Sequence, residues 1–142
     1  MINYIDLLNE VQTDPQGLNY APFIPTGSDQ SIADILNLRN RAAIYRSNIT
    51  PKEILGCIIW SEYIALTQAQ RDLLALMFAT NTIIDASLSS VREAFSEVFS
   101  APGSVSLTNL ATMAQRPGSR AEELFGVGTT ISPTDVAIAL RG

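Results

Sequence analysis

A chain of 142 residues, 46% hydrophobic and only 16% charged, has the apolar content for a packed core and does not resemble a disordered tail. Its net charge of −5 argues against a free-standing nucleic-acid binder, which needs Lys and Arg in excess to neutralise phosphates. Histidine is absent, which removes His-based acid/base chemistry, serine and cysteine triads that use His, and most zinc sites.

At this length the expectation is a single domain, residues 1–142. No basic-then-apolar leader opens the chain, and no apolar run approaches the roughly 20 residues of a membrane span. Synthesis in the cytoplasm and no membrane partner are therefore expected. A low charge density also suits a subunit packed against others. The lone Cys57 lies in the apolar run Ile54–Ile59, so it reads as a buried structural thiol with no intrachain disulfide partner.

Residues 2–12 place Tyr4, Leu7, Leu8 and Val11 at helical spacing with Asp6 and Glu10 opposite, an amphipathic first helix that stops before Pro15. Residues 14–27 carry three prolines and two glycines, yet also Leu18, Tyr20, Phe23 and Ile24. That is too apolar for a solvated linker, and the stretch reads as an ordered loop whose aromatics pack on the domain or on a neighbouring subunit. Ser28 or Asp29 caps a second helix to about Asn37, burying Ile32, Ile35 and Leu36.

The window 39–52 then holds Arg39, Arg41, Arg46 and Lys52, four of the nine basic residues, around an Ala42–Tyr45 core capable of extension. It reads first as a solvated loop balancing a negative domain. Docking on an acidic partner, or facing DNA passing nearby, is the functional alternative.

Thr50-Pro51-Lys52-Glu53 opens a third helix, with a break expected at Trp60–Tyr63 and Trp60 as a core anchor. A central helix starts at the box Thr67–Gln70 and lines up Leu73, Leu74, Met77 and Phe78 as far as Thr80-Asn81. Residues 87–100 set Leu88, Val91, Phe95, Val98 and Phe99 on one face, and 105–115 form a further helix closed by Arg116-Pro117-Gly118. Ser119 and Glu122 write a capping box for a short helix shut off by Gly126, and Ser132-Pro133-Thr134-Asp135 opens the last. With no alternating strand pattern and no internal repeat, the fold class is all-α, a compact bundle of about six to eight short helices with an ordered Pro/Gly-rich N-terminal loop.

No catalytic, cofactor-binding or metal-ligating constellation emerges, and the chain does not read as an enzyme. Adjacent Glu122 and Glu123 point in different directions on a helix, and Glu93 and Glu97, which share a face, read as solvated. Gly126-Val127-Gly128 follows a helix rather than a strand and lacks a Lys-Ser/Thr pair, so it is no phosphate loop. The helix from Thr67 has only Arg71 as a base, too little charge for a DNA reader.

Taken together, Thr13–Ala21 (TDPQGLNYA), Ala33–Asn37 (ADILN), Tyr63–Thr67 (YIALT) and Gly118–Gly126 (GSRAEELFG) resemble, in that order, the pattern of a family of small tailed-bacteriophage proteins. The family is similar in size and helical character to head-to-tail adaptors, the neck or connector proteins that form a ring below the portal. The resemblance implies a structural virion protein synthesised in the host cytoplasm. Its partners would be copies of itself in a ring, the portal protein and other neck or tail proteins, with packaged DNA close by. Tail completion, a capsid accessory role, and a non-virion binding module or assembly chaperone are the alternatives. The resemblance brings no catalytic residues. It makes segments 14–27, 39–52 and 126–142 the docking candidates, with Tyr20, Phe23, Arg39, Arg41, Arg46, Lys52, Phe125 and Arg141 as the contact residues.

Overall fold

The computed structural model describes residues 1–80 and 82–142 and is mostly helical, with one two-stranded sheet. The chain divides into two compact units: unit 1 comprises Met1–Ala42 and Pro117–Gly142, and unit 2 comprises Ala43–Arg116.

Unit 1 contains α1 (Tyr4–Thr13), a 3-10 turn (Ala21–Phe23), α2 (Asp29–Asn37), α8 (Arg120–Phe125) and α9 (Pro133–Arg141). The Asn3 side chain accepts the Ile5 and Asp6 amides, which starts α1. At its other end Asp14 takes a left-handed conformation, and its carboxylate accepts the Leu18 and Asn19 N–H groups at 2.6 and 2.8 Å. Ser28 does not cap α2 with its side chain, because its hydroxyl bonds that of Thr26. Ser119 and Ser132 both form complete capping boxes, with Glu122 and Asp135 respectively. The Glu122 carboxylate also accepts the Gly128 N–H at 2.7 Å, so the residue that starts α8 also fixes the loop beyond it. That loop leaves through Gly126 at φ 103°, a conformation L side chains resist. Leu7, Val11, Tyr20, Ile32, Leu36, Ile131 and Val136 fill the core, where α1 and α2 pack on α9.

Unit 2 contains α3 (Pro51–Cys57), α4 (Trp60–Ile64), α5 (Gln68–Thr80), α6 (Ser89–Val98) and α7 (Val105–Met113). Helix α3 packs on α7 and α5 on α6, around Ile49, Ile54, Leu74, Ile84, Phe95, Val98, Phe99 and Leu110. The connection before α6 is tied down by an antiparallel bridge between Ile49 and Ile84. Of the two residues expected to end α5, Thr80 does so and Asn81 lies outside the described residues.

Several expectations need correction. The fold is not strictly all-α, because β1 (Arg41–Tyr45) pairs with β2 (Gln115–Gly118). The Ala42–Tyr45 core is extended as its composition allows, whereas Gln-Arg-Pro-Gly carries no strand pattern and gains its conformation from the pairing. The helix expected over 105–115 consequently ends at Met113.

Trp60 is no core anchor: it opens α4 and is 70% exposed. Ile58 and Ile59 are extended and separate α3 from α4, so α4 starts afresh at Trp60, and the Ile59 N–H is held by Ser106 Oγ at 2.9 Å. Glu10, expected on the polar side of α1, is only 4% exposed. Leu88 precedes α6 and is exposed rather than lining its apolar face. Cys57 is half-buried rather than fully enclosed, with its thiol pKa raised by burial and by the Glu53 charge.

Candidate interaction surfaces

The residues expected to make contacts fall into distinct environments. Tyr20 is fully buried and donates its hydroxyl to Glu10 Oε1 at 3.1 Å, so it offers no outer surface. Phe23 and Phe125 are partly buried against the core of unit 1. Arg41 is engaged within unit 1, with Nε on Glu123 Oε1 at 2.9 Å and Nη2 on Gln16 Oε1 at 3.2 Å. Arg46 is engaged within unit 2, where it bonds Glu53 at 2.7 Å and the Met113 carbonyl at 3.2 Å. Arg141 donates to Asp29, which raises its pKa. Arg39 and Lys52 are exposed and form no ion pair among the described residues. The basic window is thus divided between the two units, and its arginines mostly serve intramolecular bonds.

The strongest polar feature of unit 1 lies inside it. Arg120 grips the Glu10 carboxylate with the Nε–Nη2 edge of its guanidinium, Nε to Oε1 at 2.9 Å and Nη2 to Oε2 at 2.8 Å, while Nη1 reaches Glu123 at 2.8 Å. These bonds raise the Arg120 pKa. Glu123 is held below the usual carboxylate range, first by Arg41 and then by Arg120. The Tyr20 hydroxyl is pushed well above its ordinary value by burial and then by the Glu10 charge. The assembly ties α1, the loop after it and α8 into one body. In unit 2, Glu62 performs a comparable service, accepting Ser104 Oγ at 2.6 Å and the Ser106 N–H at 3.1 Å at the start of α7. The Ser104 bond is the main cause of its lowered pKa.

The surface feature that sequence reasoning missed is apolar and belongs to unit 2. Leu55, Trp60 and Ile64 are 62%, 70% and 55% exposed. A groove of about 410 Å3 lies among Leu55, Ile58, Trp60, Tyr63 and Phe78. Trp60 stacks on Tyr63 with centroids 5.4 Å apart, and the Arg71 guanidinium sits 5.5 Å from the centroid of the Tyr63 ring. Arg71 Nη2 donates to the Ile64 carbonyl, while its Nε is buried without a hydrogen-bond partner among the described residues. The signal was present: Ile54, Leu55, Ile58, Ile59, Trp60, Tyr63 and Ile64 are more apolar residues than one face of two short helices can bury.

Among the described residues no group of three or more carboxylates and thiols is arranged to hold a metal ion, and no helix is long and apolar enough to cross a membrane. A scan against protein-family models found no matching family, and searches of curated proteins and of solved structures found no match.

Proposed function

We propose that this chain is a structural subunit of a tailed-bacteriophage virion, and that it acts as a head-to-tail adaptor assembled in a ring below the portal. Two lines support the reading. One is the resemblance carried by TDPQGLNYA, ADILN, YIALT and GSRAEELFG. The other, and the observation that carries it here, is the apolar face around Trp60, which a lone subunit leaves in water. Covering such a face stabilises by about 25 cal/mol for each Å2 removed from solvent, and a head-to-tail contact repeated around a closed rotation covers one face per subunit. In this reading Trp60 is the anchor of the subunit contact, and Arg39 and Lys52 remain available to an acidic surface of the portal or the next ring. The Pro/Gly-rich stretch 14–27 is an ordered docking loop with Tyr20 as its internal anchor. A net negative lumen would let DNA pass without adhering. The reading assigns no catalytic step, cofactor or metal.

Quantitative mass spectrometry of purified virions tests it. About one copy per portal subunit is the expected result. Hundreds of copies would replace the adaptor with a capsid or tail-tube role, and complete absence would overturn the virion reading in favour of a soluble helical binding module.

A further inference from the structure

A second concavity of unit 2 has a different chemistry. It measures about 350 Å3 and is walled by Ile49, Phe95, Leu107, Leu110 and Met113, with Arg92 and Tyr45 also lining it. That volume lies within the range of about 300–1,000 Å3 usual for small-molecule sites, which pair apolar walls with a few placed polar groups.

Arg92 is held firmly but is not neutralised. Its guanidinium carbon sits 4.0 Å from the centroid of the Tyr45 ring, and its Nη1 donates to the carbonyls of Ala86 and Ser87 at 2.7 and 2.9 Å. Those two bonds use both Nη1 hydrogens. Nε and Nη2 have no protein acceptor among the described residues, and no carboxylate pairs with Arg92 there. The Nε–Nη2 edge of a guanidinium presents two parallel N–H groups that match the two oxygens of a carboxylate. In a chain with 14 acids, a fixed guanidinium without an anion beside apolar walls is complementary to a molecule that has an anionic head and an apolar tail.

We propose that this cavity binds an aliphatic monocarboxylate, its head on the Nε–Nη2 edge of Arg92 and its chain among Ile49, Phe95, Leu107, Leu110 and Met113. The proposal is independent of the virion reading. Each methylene of the chain strengthens binding about fourfold until the walls are filled. Replacing the anionic head by a neutral one weakens it about tenfold or more, the worth of a charge-assisted hydrogen-bonded pair.

The test titrates the full chain with octanoate, octanol and octylammonium, by calorimetry and by methyl NMR of Met113 and Leu107. The expected result is saturable shifts with octanoate, weaker binding of octanol and none of octylammonium. Arg92→Met should bring octanoate down to the level of octanol. Because Arg92 also fastens the carbonyls before α6, Ala111→Phe provides a second variant that keeps the guanidinium and fills the cavity, and it should abolish binding of octanoate. Equal affinity for octanoate and octylammonium, no saturable shift in the natural protein, or undiminished octanoate binding by Ala111→Phe would overturn the proposal.

Discussion

Replacing Arg120 by Met removes the partner of the most deeply buried carboxylate in unit 1. The Glu10 side chain is 2% exposed and accepts two bonds from Arg120 and one from Tyr20, so the variant leaves it with a single donor. Breaking a buried pair from one side costs about 3–5 kcal/mol, because an uncompensated charge stays inside. The Arg120 side chain is 13% exposed, so water can partly substitute for it, and the lower end, about 3 kcal/mol, is the expected cost. The lost contact to Glu123 adds little, since Glu123 is a partly exposed group that retains Arg41. With a urea m-value of about 2 kcal/mol per molar, the midpoint falls by about 1.5 M. Urea titration followed by circular dichroism measures the cost, and hydrogen exchange of the α1 and α9 amides locates it. Glu10→Met combined with Arg120→Met should recover most of the loss, because the pair then goes as a unit. A cost below about 1 kcal/mol for the single variant, or strict additivity in the double, would refute the argument that the buried charge is what makes Arg120 necessary.

Three further outcomes are expected. The Tyr20 hydroxyl has a raised folded-state pKa, so its contribution is fully present below the unfolded value of about 10 and is lost as pH rises through the folded one. The unfolding free energy from urea titration should therefore decline above about pH 10 in the natural protein, and by about 1.4 kcal/mol per pH unit less steeply in Tyr20→Phe; parallel curves would contradict this. Ser106→Ala removes the acceptor of the Ile59 N–H and should cost about 1–2 kcal/mol in unfolding monitored by Trp60 fluorescence. Trp60→Ser should leave monomer stability within about 0.5 kcal/mol and, on the proposed adaptor reading, abolish self-association measured by light scattering; a large loss of stability would place the indole back among the core groups.

What could be read from the chain was local. The boxes at Thr50, Ser119 and Ser132 state their helix starts within three or four residues, and each one forms. The Ala42–Tyr45 core read only as capable of extension within a solvated loop, and that it forms a strand was not legible. What escaped depends on residues far apart. Glu10 is buried because Arg120 arrives 110 positions later, and nothing within α1 announces it. Strand β2 exists through its pairing with β1, against the preferences of Pro117 and Gly118. The start of α4 is likewise held from afar, with the Ile59 N–H on Ser106 Oγ 47 positions away, and Trp60 beside it is exposed. The expected contact residues are charges and aromatics, and most of those arginines are engaged within their own unit.

The discontinuous make-up of unit 1 has a consequence for the order of events during synthesis. The chain leaves that unit within β1 and returns to it within β2, so α1 and α2 are made before unit 2, yet the residues that cover them, Ala121, Ile131 and Val136, are made after it. Unit 2 is continuous and can close as soon as α7 has emerged. Until α9 follows, Leu7, Val11, Ile32 and Leu36 present a half-built apolar surface to the cell. A nascent chain of this layout leaves that surface uncovered for the time needed to make unit 2, which the same helices in the order α1, α2, α8, α9 would not.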